Sequence, residues 1–168
     1  MKKLRSIKHV SIAAIALAAL ISSAPITASA KWYTGNSGFY YQINIPDNLT
    51  KAAVNGNCTI LSNASGTNTL TIENQYDDWT WENRGYYGYV EDLISFVERN
   101  GGYITGVTTE SYGRYKVTWC LWGQDHAGYW LGANGGCLYF DYAYPNYEDH
   151  GSEIMTMWNT FALLGNTP

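Results

Sequence analysis

The chain has 168 residues, ten Lys and Arg against fourteen Asp and Glu for a net charge of −4, and seven Trp, fifteen Tyr and four Phe. That length suits one domain with a real core. The acidic balance argues against nucleic acid, whose phosphates need a basic stripe, and against anionic membrane surfaces.

Residues 1–30 read as an address. Lys2, Lys3, Arg5 and Lys8 precede an apolar run from Val10 to Ile21, and Ala28-Ser29-Ala30 places small residues where a signal peptidase reads. The run, about a dozen residues, falls short of the roughly twenty that span a bilayer. The expected organisation is a cleaved signal peptide over 1–30, a single α+β domain over 31–168, and no transmembrane segment once the signal is removed. Localisation would be exported, periplasmic or extracellular. Removing the four leader cations leaves six Lys and Arg against fourteen acids, a net charge of −8, with every aromatic retained.

The first expected strand is Phe39 to Ile45, ended by Pro46-Asp47-Asn48. Cys58 to Ser62 and Thr69 to Asn74 flank a polar turn at 63–68 and read as a hairpin. The stretch from Tyr76 to Tyr87 (YDDWTWENRGYY) has no period and reads as a loop running into a helix. Tyr86, Val90, Leu93 and Val97 then recur at helical spacing, with Tyr89, Ile94 and Phe96 beside them, until Asn100-Gly101-Gly102 stops the helix. Downstream the period becomes two. Tyr103 to Thr109, Arg114 to Trp122, Gly128 to Ala133 and Cys137 to Tyr144 form a meander, with turns expected at 111–113, 123–126 and 134–136. Parity puts Val117, Trp119 and Leu121 opposite Lys116, Thr118 and Cys120, and Leu138, Phe140 and Tyr142 opposite Cys137, Tyr139 and Asp141. A closing helix from near Ser152 presents Ile154, Met157, Trp158, Phe161 and Leu164 to the sheet. The order predicts an antiparallel sheet of about six to seven strands flanked by two main helices.

An aromatic strand running into a Pro turn (GFYYQINIPDN), a helix ended by Asn-Gly-Gly, a meander and a closing helix with Asn159-Thr160-Phe161 resemble the PsbP/Mog1-like superfamily. Its members include photosystem accessory proteins, a regulator of a nuclear-transport GTPase and bacterial extracytoplasmic proteins. The resemblance implies an α+β fold and a protein-binding module rather than an enzyme. It assigns no site residue.

Three chemistries compete. A thiol nucleophile needs a neighbouring base, and Cys120 and His126 lie on either side of the expected turn, with Asp125 or Asp141 available to orient the imidazole. A regular meander would hold Cys120 and Cys137 about 9.5 Å apart, beyond the roughly 7 Å that a disulfide tolerates, leaving the pairing of Cys58 open. The acidic clusters Asp77-Asp78-Glu82 and Glu148-Asp149-His150-Glu153 lack metal-loop spacing and read as solvated, so neither metal nor cofactor is expected. The aromatic residues give the best functional reading. Trp79 and Trp81 alternate with polar neighbours, and Trp122, His126, Tyr129 and Trp130 surround a meander turn, so the expected binding set is these six residues. The partner would be a protein or glycan of the cell envelope. A carbohydrate-binding module and a cysteine-dependent hydrolase are the alternatives.

Overall fold

Strand period dictates the core. In Gly136–Pro145 both faces carry apolar side chains, so Leu138, Phe140 and Tyr142 are buried one way while Cys137 and Tyr139, with Asp141 beside them, face the other. Such a strand needs cover on both sides. A computed structural model of the chain describes residues 29–75, 78–111, 113–133 and 136–164. All but the last two residues of the expected signal peptide lie outside the described residues.

The elements in order are β1 (Ala30–Asn36), β2 (Tyr40–Pro46), β3 (Lys51–Asn55), β4 (Cys58–Ser62), β5 (Thr69–Asn74), α1 (Asp78–Arg84), α2 (Tyr87–Arg99), β6 (Tyr103–Ser111), β7 (Arg114–Leu121), β8 (Gln124–Ala133), β9 (Gly136–Pro145), α3 (Gly151–Thr160) and β10 (Ala162–Leu163). They form a seven-stranded antiparallel sheet, β3-β4-β5-β9-β8-β7-β6, and a three-stranded one, β1-β2-β10. The expected α+β class, main sheet and two long helices are present. The short sheet is an addition.

One face of the large sheet packs Leu70, Ile72, Tyr129, Leu138, Phe140 and Tyr142 against Tyr41, Ile43 and Ile45 of β2 and Ile154, Met157 and Phe161 of the closing segment. The other face packs Val117, Trp119, Leu121, Trp130 and Tyr139 against Tyr86, Tyr89, Val90 and Val97 around α2. Each fully buried side chain of this size contributes about 1.5–3 kcal/mol, so both layers are needed to hold the sheet.

Two expectations about the meander are corrected. The turn expected at 123–126 is a two-residue hairpin at Trp122-Gly123, because Leu121 pairs with Gln124 and Cys120 with Asp125. As a result β8 begins at Gln124, and His126 pairs with Trp119. Cys120 therefore faces the small sheet and His126 faces α2, which removes the thiol–imidazole pair on which a hydrolase reading depended. Cys120 and Cys137 likewise point to opposite faces, so no bridge joins them, and all three cysteines are free. Burial pushes the Cys137 thiol up to about 12, the reverse of an activated nucleophile.

Candidate binding groove

The helix α2 carries two adjoining apolar stripes. Val90 and Val97 are fully buried against the sheet. Gly101, at φ 78°, ends the helix, and the amide N–H of Gly102 donates to the Val97 carbonyl at 2.9 Å. Beside the first stripe stand Leu93, half-buried, and Phe96, exposed, with the buried Tyr89 reaching the same side. Together with Asp92 they form one wall of an open groove of about 360 Å³, completed by Gln75 and Trp130.

Trp130 is 1% exposed and stacks on Tyr139 at 4.3 Å between ring centroids. Its indole N–H donates to Gln75 Oε1 at 3.0 Å, and Gln75 Nε2 donates to Glu73 Oε1 at 2.7 Å. Arg84 braces the outer side of α2. Its Nη1 donates to Asp92 Oδ1 at 2.7 Å, its Nε and Nη2 donate to Glu91 Oε2, and its Nη2 also reaches the Gly88 carbonyl.

Phe96 carries the groove to the tip of the β7–β8 hairpin, where Trp122 meets it edge-on at 6.1 Å. Trp122 is 73% exposed and has φ 54°, the one non-glycine residue with positive φ among the described residues. A two-residue hairpin turn of this hand needs left-handed backbone at both positions. Gly123 takes it freely, whereas a tryptophan does so at a cost of about 1–2 kcal/mol.

The six residues singled out by sequence do not share one surface. Tyr129 is 3% exposed and points to the small sheet, with its hydroxyl donating to Glu110 at 3.1 Å. Trp130 and His126 point to the α2 face, because alternate residues of one strand diverge. The His126 ring stacks on Trp119 at 4.9 Å, and its Nδ1 lies 3.1 Å from each carboxylate oxygen of Asp141. Burial raises the Asp141 pKa and His126 opposes the rise. His126 Nε2 is buried without a partner among the described residues, so no hydroxyl or thiol is poised on it for attack. Trp79 and Trp81 belong to α1, and their side chains lie outside the described residues.

No protein-family model matches the chain, and no curated protein matches it. Among solved structures it is similar to the solution structure of cyanobacterial PsbP (CyanoP) from Synechocystis sp. PCC 6803, at 14% identity and a TM-score of 0.57, over 96% of this chain and 99% of that one. The fold is PsbP-like. At that identity the likeness speaks for the fold, and the groove must be judged on this chain's own residues.

Sequence reading missed Gln75, Tyr89, Asp92, Leu93 and Phe96 as groove residues. A signal was present: α2 has more apolar positions than one packing stripe requires, and the surplus at 93 and 96 lines the groove beside the buried Tyr89.

A second polar cluster in the PsbP-like fold joins α3 to the sheet. His150, at the N-cap position of α3, has Nε2 at 2.8 Å from Glu148 Oε2, while its Nδ1 bonds to Glu153. The Tyr142 hydroxyl donates to Glu153 at 3.0 Å, and the Asn68 amide donates to that hydroxyl. Each ring nitrogen holds its own carboxylate, so the acidic residues clamp the imidazole instead of converging on a cation. Burial works against the charge on His150, but Glu148 and Glu153 together outweigh it, and the pKa is raised above 6.5. A histidine raised on folding stabilises fully below its unfolded pKa, and that contribution is lost as pH rises through the folded value. Urea denaturation should therefore show wild type ahead of His150→Gln at about pH 6, with the margin shrinking toward about pH 9. A margin that stays flat or widens with pH would mean that the clamp does not hold a charged ring.

Proposed function

We propose that this protein is an exported, non-catalytic interaction protein of the bacterial cell envelope that grips another macromolecule through exposed aromatic side chains. The basic, apolar and Ala-Ser-Ala pattern of residues 1–30 supports export, to the periplasm or beyond, of a single domain from residue 31 onward. No helix among the described residues is long and apolar enough to cross a membrane.

Trp122 carries the proposal. It combines 73% exposure with left-handed backbone. Neither property serves the fold, and an unfavourable residue held at an exposed turn marks a position kept for another purpose. Phe96 supports it from the side, and Trp79 and Trp81, whose side chains lie outside the described residues, are proposed as further members of the binding set on sequence alone. Binding energy would come from burying such anchors, with the acidic balance favouring a neutral or basic partner.

Trp122→Asn separates fold from function. Asparagine accepts the left-handed turn, a gain of about 1 kcal/mol, while loss of the edge-on contact to Phe96 removes about 0.5 kcal/mol or more. Stability should stay level or rise, while cross-linked capture of partners from envelope extract, identified by mass spectrometry, should collapse. A destabilised variant that still captures the same partners would show Trp122 to be a structural residue.

A further inference from the structure

We infer that the groove along α2 seats a cationic side chain, lysine or arginine, presented by a protein partner. This deepens the aromatic-binding reading above and rests on it. The inference comes from what the lining offers. Among the described residues no Lys or Arg lines the groove, and the charged one is Asp92, 60% exposed at the side chain. Behind Gln75 stands a second carboxylate, Glu73.

Several donors that might have served an uncharged ligand are already engaged. The Trp130 indole N–H is on Gln75, the Gln75 amide reaches Glu73, and Arg84, beside Asp92, is divided among Glu91, Asp92 and the Gly88 carbonyl. What the lining chiefly offers a ligand is the second oxygen of Asp92, whose Oδ1 is paired with Arg84, and aromatic face. A sugar hydroxyl both donates and accepts and so prefers a lining with both kinds of group. An ammonium or guanidinium only donates, and it is also drawn to aromatic faces such as those of Phe96 and Trp122. Charge points the same way at longer range, since residues 31–168 carry six cations against fourteen acids.

The test is calorimetric titration of the purified protein with acetylated, amidated hexalysine and, separately, with neutral chitohexaose. Hexalysine should bind at one site, more weakly as salt is raised from about 50 to 300 mM, and chitohexaose should give no heat. Asp92→Asn and Phe96→Ala should each weaken hexalysine about fivefold or more. Glu98→Gln removes the same charge from the same helix outside the groove and should leave affinity within about twofold. Equal weakening by Asp92→Asn and Glu98→Gln would reduce the effect to net charge and overturn the inference, as would absence of hexalysine binding. Chitohexaose binding that Phe96→Ala abolishes would also overturn it, while leaving the aromatic surface as the binding site. Failure of that broader reading is seen separately, in partner capture by Trp122→Asn.

Discussion

Replacing Trp130 with alanine is expected to remove about 3–5 kcal/mol of stability, a large share of the roughly 5–15 kcal/mol that holds a domain together. The residue is 1% exposed, stacks on Tyr139, and satisfies Gln75 Oε1 with its indole N–H. Alanine would leave a cavity between α2 and the sheet and an acceptor without its donor. Trp130→Phe keeps most of the ring and loses the hydrogen bond, so about 1–2 kcal/mol should go instead. The order alanine far below phenylalanine, and phenylalanine below wild type, should appear in urea midpoints at constant slope. If Trp130→Ala unfolded at the wild-type midpoint, the indole would be a surface ligand group and not part of the core. That outcome would restore the role sequence reading gave it.

Phe161→Ala should be as severe, about 3–5 kcal/mol, for a different reason. Phe161 is 6% exposed and meets Tyr41 of β2, Tyr129 of β8 and Phe140 of β9 edge-on, at 5.9, 6.0 and 5.1 Å between centroids. It joins the small sheet to the large one at the point where α3 ends. The preceding Thr160 accepts the Asn44 amide N–H at 2.9 Å, so two consecutive residues fasten the closing segment, one by a polar bond and one by packing. Amide exchange at Asn44 and Leu164 should rise together in Phe161→Ala, since both amides are held only while this segment is docked. Protection lost at Leu164 alone would show that β2 is anchored without it.

Where one face of a strand repeats cleanly, the structure was legible. The parity of β7 and β9, the helix over 87–99 and its stop at Asn100-Gly101 all follow from local pattern. Strands β1 (AKWYTGN) and β3 (KAAVN) were not read because they lie at sheet edges. Every residue of β3 is exposed, and an exposed strand has no apolar alternation to betray it. The β7–β8 turn was set two residues late because Gln124-Asp125-His126 is polar enough to pass for a loop, while the real turn carries a tryptophan where asparagine is usual. Helix α1 lacks any apolar period, since in YDDWTWENRGYY two tryptophans two residues apart stand among polar and charged neighbours. The groove was out of reach for another reason. Gln75 and Asp92 acquire meaning only when α2 is laid across β8, and no spacing along the chain encodes that contact.

The first and last strands described here flank the same neighbour: β1 pairs along the whole of β2, and β10 pairs with its other edge through Gln42 and Tyr41. The three-stranded layer is thus stitched from residues more than a hundred positions apart, and it cannot close until residue 163 is present. Until then Tyr41, Ile43 and Ile45 lack the segment that covers them, and the large sheet lacks one of its two lids. A layer closed by so distant a pairing carries a large loop-closure cost, so its docking is expected to be among the slower steps of folding.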